Sequence, residues 1–177
     1  MENWTAFKER VRYFNKWVTN RVTMTFAGRR HSPYTVVHHV GRTSGSAYAT
    51  PVLAMLEEEH FIIPLPYGTH VDWHRNIQAA GGCLVEYQGA VYRTVAPKVI
   101  DAEAGLPAFP AWTQDLLRKD GTEYFLRLRR GEQVPPEDPA YRRVRAAHED
   151  DTKVLMILSA VITSLIALAV YLRRKKR

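Results

Sequence analysis

Residues 34–52, YTVVHHVGRTSGSAYATPV, constrain the fold more than any other part of the chain. Two strand-like runs flank Gly41-Arg42-Thr43-Ser44-Gly45, so the segment doubles back on itself as paired strands around a tight turn. That turn gathers two glycines, two hydroxyls and a guanidinium into five residues. Glycine lets backbone turn sharply and come close to a ligand. Exposed amides, hydroxyls and a planar Arg suit a phosphate or carboxylate. The turn is therefore a candidate anion cradle between strands.

The same rhythm continues along the chain. Strand signals cover residues 34–40, 47–56, 60–65, 83–87 and 91–99, with Phe125, Leu126 and Leu128 marking a last strand. Glu57-Glu58-Glu59 separates the second strand from the third. Gln88-Gly89 is a hairpin turn. Two helices fall between the strands. The first spans 71–80, opened by a Thr69-x-x-Asp72 capping pattern and ended by Gly81-Gly82. The second spans 110–119 and closes at Asp120-Gly121. Trp4, Phe7, Val11, Phe14 and Val18 recur at helical spacing and predict an amphipathic helix over 3–22. It either packs on the domain or lies on a membrane surface. Many short strands with few helices predict an α+β, mainly β fold. The expected form is a small barrel with flanking helices, not a doubly wound sheet.

Charge does not point to nucleic acid. The formal net charge is +7, but residues 173–177 alone supply five positive charges, and residues 1–152 hold 19 Lys/Arg against 18 Asp/Glu. A nearly neutral domain is no electrostatic footprint for a polyanion. Cys83 is the sole cysteine, so no intramolecular disulfide forms, and a buried, inert thiol in a reducing compartment is the expectation.

Residues 154–172, VLMILSAVITSLIALAVYL, hold no charge, Pro or Gly. As a helix they reach about 28 Å, close to a bilayer core. Eleven are Leu, Ile or Val, contributing roughly −3 to −7 kcal/mol to insertion. The expectation is a single C-terminal transmembrane helix followed by the basic tail 173–177. The positive-inside rule would put that tail in the cytoplasm and export a domain that carries no export signal. The opposite topology moves five positive charges across. A cytoplasmic domain on a C-terminal anchor is expected. Ser159, Thr163 and Ala167 share one face and leave a homodimer open, although chance explains that spacing better. The division expected is 1–30 for the N-terminal helix region, 31–132 for the barrel, 133–153 for a polar linker, then the span and the tail. Arg142, Arg143 and Arg145 in the linker either touch anionic lipid or are simply solvated.

Chemistry-bearing residues are few. No G-x-S-x-G elbow exists. His38 and His39 are adjacent in a strand and point to opposite faces. His70 and His74 are four apart, but no H-E-x-x-H pattern exists and Asp72 serves better as a cap, so no metal is expected. Tyr67-Gly68-Thr69 leads into a helix whose N-terminal amides offer a second anion site. Trp73 and Asn76 share a face of that helix. Trp73 can pack on the barrel, and Asn76 can bond neighbouring backbone or a ligand.

The ordered combination VVHHVGRTSGSAYATPV, PYGTHVDWHRNIQAAGG and VYRTVAPKVID resembles the deazaflavin-dependent nitroreductase family. The likeness covers residues 35–101 and, more loosely, extends to 130. It rests on G-R-x-S-G with a following T-P, a Gly-bearing loop, and D-W-x-R-N-x-x-A. The resemblance implies a split β-barrel and coenzyme F(420), a deazaflavin with a phosphate and an oligoglutamate tail, or FMN as the alternative. It implies that Arg42, Thr43, Ser44 and Gly45 hold phosphate and tail. Gly68 and the amides near Val71, Asp72 and Trp73 would lie by the ring or phosphate, with Asn76 beside them. Thr50 and Pro51 would shape the strand beside the ring. Tyr48 and Tyr67 are candidates for the substrate pocket, with core packing as the competing role. The implied reaction is hydride transfer to a small or lipophilic acceptor such as a quinone or nitro compound. Two other readings stay open: an FMN oxidoreductase on the same barrel, and a non-catalytic, membrane-tethered cofactor-binding module.

Overall fold

Seven strands form one sheet among the described residues: β1 (Tyr34–Val40), β2 (Ala47–Leu53), β3 (Met55–Glu57), β4 (His60–Pro64), β5 (Gly82–Tyr87), β6 (Ala90–Asp101) and β7 (Tyr124–Gln133). The computed structural model describes residues 27–30, 32 and 34–143, all within a compact unit spanning Phe26–Val144. The predicted helix over 3–22, the predicted span 154–172 and the basic tail lie outside the described residues. Among the described residues no helix is long and apolar enough to cross a membrane.

The spatial order of the strands is β2-β1-β5-β6-β7-β4-β3, and every neighbouring pair is antiparallel. The two outermost strands, β2 and β3, are consecutive in the chain. Only Ala54 joins them, and it is buried. A single residue spans less than 4 Å, so the two ends of the sheet must meet at this corner. The sheet therefore curls on itself, as the predicted barrel requires. The expected strand over 47–56 is thus two strands broken at Ala54. Strand pattern alone does not mark the break, because both pieces are extended.

The curl makes an inside. Val37, Val52, Phe61, Ile63, Leu65, Val85, Leu126 and Leu128 fill it, together with Ile77. On β4 the intervening Ile62 points the other way and joins Phe125, Leu106, Phe109 and Leu117. The run FIIPL has no polar alternation because both of its faces are covered. The outer cover is a segment that sequence reading left unassigned: helix α2 (Ala102–Gly105) and a 3₁₀ turn (Leu106–Ala108), followed by α3 (Ala111–Lys119). The Asp101 side chain caps α2 by accepting from the Ala104 N–H at 3.0 Å.

Helix α1 (Asp72–Ala80) connects β4 to β5, which β6 and β7 separate in the sheet. It ends at Gly81 in the left-handed region, as expected from Gly81-Gly82. Its start differs from expectation. Val71 holds the N-cap position with no side-chain cap, so the Thr69/Asp72 capping pattern does not operate. β6 carries Ala96 at φ 53° next to Pro97, inside a register shift against β7. Proline cannot donate to the ladder, so it sits at the irregularity where no donor is needed. After β7, Val134 is buried and its N–H donates to the Val91 carbonyl. Arg93 pairs with Asp138 at 3.1 Å, so the first residues of the polar segment are tied to the sheet.

Gly82 starts β5 so close to β6 that a β-carbon there would strike the Thr94 carbonyl. Gly82→Ala is expected to lower stability by about 1–3 kcal/mol, as overpacking does, seen as a lower urea midpoint with an unchanged slope.

Candidate functional site

The turn between β1 and β2 is closed by its own backbone. The Gly41 N–H donates to the Ser46 carbonyl at 2.8 Å and the Gly45 N–H to the Gly41 carbonyl at 2.9 Å. Gly45 adopts φ 67°, with open space where a side chain would stand. Thr43, Ser44 and Gly45 are exposed. Among the described residues, the N–H groups of Thr43 and Ser44 have no hydrogen-bond partner. The Ser44 hydroxyl accepts from the Ser46 N–H and lies 3.2 Å from the Tyr48 hydroxyl.

Arg42 reaches back to helix α1. Its guanidinium meets Asp72 Oδ1 at 3.0 Å through both terminal nitrogens. It also donates to Asn76 Oδ1 at 2.9 Å, and its backbone N–H donates to the same oxygen at 3.1 Å. Asp72, expected as a cap, is instead the ion-pair partner of Arg42. A guanidinium within reach outcompetes the weak local cap. Its carboxylate also suits the positive helix start. Without a cap, the N–H groups of Asp72, Trp73 and His74 have no partner among the described residues; the first helical bond is Arg75 N–H to Val71 carbonyl. The turn and the helix start therefore present free amides on either side of one guanidinium. That is the donor set a phosphate needs.

The Asp72 carboxylate is largely exposed, at 82%. An exposed pair of this kind is worth about 0–1 kcal/mol. The Asn76 bonds are better protected and hold the turn in place.

Asn76 is buried, and so is His39. The Asn76 amide nitrogen lies 3.1 Å from His39 Nδ1, and His39 Nε2 lies 3.2 Å from the Thr50 hydroxyl. Tyr48 stacks on the His39 ring at 5.6 Å between centroids and 20° between planes. The structure thus brings Arg42, Ser44, Tyr48, Thr50, Asp72 and Asn76 into one connected group and adds His39, which sequence reading missed. The signal was present in the His38-His39 pair, since one of the two had to point inward. His38 points the other way, to Glu86 at 3.5 Å.

Other expected residues fall nearby or elsewhere. Trp73 packs against the inner core beside Val71. Gly68 adopts φ 75° with open space at its α-carbon. Pro51 is half-buried on β2. Tyr48 and Tyr67 are 47% and 69% exposed, so neither is a core residue. His74 uses both ring nitrogens, on the Thr69 carbonyl at 2.9 Å and on Gln78 at 3.2 Å. Cys83 is half-buried, not fully buried as expected; burial of its sulfur pushes the thiol up to about 12.

The curled sheet, antiparallel throughout the described residues and flanked by helices, has the form of a small barrel. A family model described as F420H(2)-dependent quinone reductase matches residues 7–110. The chain belongs to that family, and it is an oxidoreductase that uses coenzyme F(420). The resemblance to deazaflavin-dependent enzymes holds at this level, and FMN gives way to the deazaflavin as cofactor. No curated protein matches the chain. Among solved structures, one described as an F420 reductase is 12% identical, covering 62% of this chain and 94% of its own, with a TM-score of 0.42. An F420-H2 dependent reductase is 14% identical, covering 54% and 93%, with a TM-score of 0.41. A putative 5-nitroimidazole antibiotic resistance protein from Bacteroides thetaiotaomicron is 11% identical, covering 58% and 75%, with a TM-score of 0.44.

His39 is pushed down to about 4, first by burial and then by the neighbouring His38, against a raising effect of Asp72. In the unfolded chain its pKa is about 6.5. Between these values the unfolded state binds a proton that the folded state refuses. Stability from this group is full above pH 6.5 and falls as pH drops towards 4. His39→Gln is expected to flatten that part of the stability–pH curve, measured by urea unfolding at half-unit steps against the parent protein.

Proposed function

We propose that the β1–β2 turn and the start of α1 grip the phosphate and tail of coenzyme F(420), and that the acceptor is a lipophilic quinone. The observation that carries the first part is Arg42, fixed by Asn76 between two sets of unpartnered amides. In this reading Arg42, the N–H groups of Thr43 and Ser44 and the open backbone at Gly45 bind the phosphate and tail. Gly68 and the amides at Val71, Asp72 and Trp73 lie against the ring or phosphate. Asp72 contributes its backbone, while its carboxylate releases Arg42. Thr50 and Pro51 border the ring along β2.

When bound, the reduced cofactor supplies the hydride. The chain's own residues bind and orient. Arg42 supplies charge, and Asn76 fixes where that charge stands. Gly45 and Gly68 let the ligand approach backbone without obstruction. Tyr48 and Tyr67 are exposed aromatics next to the two glycine turns, and they form the apolar side against which a flat acceptor stacks. No nucleophile is required.

The quinone follows from the family's description and from the apolar run 154–172, which as a membrane tether would keep the domain beside lipophilic acceptors. The domain then works at the cytoplasmic face, where a cytosolic cofactor reaches it. A homodimer is compatible with this arrangement and is not needed for it.

Titration of the full-length protein with coenzyme F(420) and with FMN tests the grip. Arg42→Ala should weaken binding of the deazaflavin by about 1.5–3 kcal/mol, the worth of a charged hydrogen bond, or roughly 10- to 150-fold. Unchanged affinity would remove Arg42 from the site. With reduced coenzyme F(420), the solubilised protein should reduce menaquinone analogues. Turnover confined to water-soluble acceptors would count against the lipophilic reading.

A further inference from the structure

We infer that His39 is a positioning residue that sets the Thr50 hydroxyl as a hydrogen-bond donor into the cofactor site. The inference rests on the cofactor grip proposed above, since it is that site into which Thr50 would donate.

The direction of every bond in the group follows from one end. Arg42 offers only donors, both from its backbone N–H and from its guanidinium. Both meet the same atom of Asn76, at 3.1 and 2.9 Å. That atom must be the carbonyl oxygen, because the reversed amide would set an NH₂ against two N–H groups. The amide nitrogen of Asn76 therefore faces His39 and donates to Nδ1 at 3.1 Å. A ring nitrogen that accepts carries no proton. His39 is then the neutral tautomer with its proton on Nε2, and Nε2 donates to the Thr50 oxygen at 3.2 Å. An imidazolium would put a second N–H against the Asn76 amide, so the charged form does not fit either.

With its oxygen accepting from His39, the Thr50 hydroxyl proton points away from the ring. Among the described residues it meets no acceptor. Thr50 is half-buried on β2, next to Pro51 and on the strand that the turn feeds. The Tyr48 stack holds the His39 ring plane and so keeps Nε2 on Thr50. A free threonine rotates its hydroxyl among three staggered positions. Here one position is blocked by an incoming proton. The result is a relay from Arg42 through Asn76 and His39 to Thr50. It ties the residue that would hold the phosphate to a donor beside the ring. The ligand group it fits is an acceptor atom: a carbonyl oxygen or an unprotonated ring nitrogen.

The sequence held the elements of this relay without its order. His39, Thr50 and Asn76 lie on three different elements, and their spacing carries no motif.

Two measurements test the inference. In the full-length protein labelled with ¹⁵N-histidine, without cofactor and at pH 7, His39 should show a protonated Nε2 and a bare Nδ1. A proton on Nδ1, or an imidazolium, would overturn the relay. The second is the dissociation constant of coenzyme F(420) in variants. Thr50→Val should weaken binding about 3- to 12-fold, the worth of one ordinary hydrogen bond, and Thr50→Ser should restore it to within about twofold. His39→Phe should lose as much as Thr50→Val, and the double variant no more than either alone, because His39 acts through Thr50. Additive losses, or Thr50→Val binding like the parent protein, would overturn the inference. If Arg42→Ala still weakens binding in that case, the cofactor grip stands without the relay. If Arg42→Ala also has no effect, the grip itself fails.

Discussion

Ala54 is the constraint on which the rest of the structure depends. It is one buried residue between the two outermost strands of a seven-stranded sheet. Because one residue cannot bridge the width of a flat sheet, the sheet must curl. Curling creates the interior filled by Phe61, Ile63, Leu126 and Leu128. It also lets a nine-residue helix, α1, connect β4 to β5. That crossing brings Asp72 and Asn76 beneath the β1–β2 turn, where Arg42 meets them. The site is thus a consequence of closure, and its residues come from segments more than 30 positions apart.

At the site, weak and strong interactions have different work. The Arg42–Asp72 pair is exposed and contributes little to stability. It keeps the guanidinium occupied, and in the proposed grip it would yield to a ligand anion. The buried Asn76 and His39 are the opposite case. An unsatisfied buried polar group costs about 1–3 kcal/mol, so this group holds together as a set. The turn keeps its shape, and the exposed ion pair can exchange partners.

Much of this was legible in the sequence. The β1–β2 hairpin, the Gln88-Gly89 turn and the last strand around Phe125 declared themselves through local pattern, since turn chemistry and alternation act over a few residues. The Arg42 turn was legible as a tight hairpin turn for the same reason. What escaped depends on distance. The break at Ala54 is set by where two sheet edges meet. The capping pattern Thr69-x-x-Asp72 was locally sound, but Arg42 lies 30 residues away and takes the carboxylate. His39 was read only as half of an adjacent pair, because Asn76, which fixes its tautomer, is 37 residues further on. The helical cover over 102–108 escaped because its apolar residues are too few to show a period.

The central claim is that the β1–β2 turn and the start of α1 hold coenzyme F(420). The most direct measurement is a ¹⁵N–¹H titration of the full-length protein with that cofactor. The account predicts that the amides of Thr43, Ser44, Gly45, Asp72 and Trp73 shift together with one dissociation constant, while those of α3 stay in place. Saturable binding that leaves these five amides unmoved would contradict it.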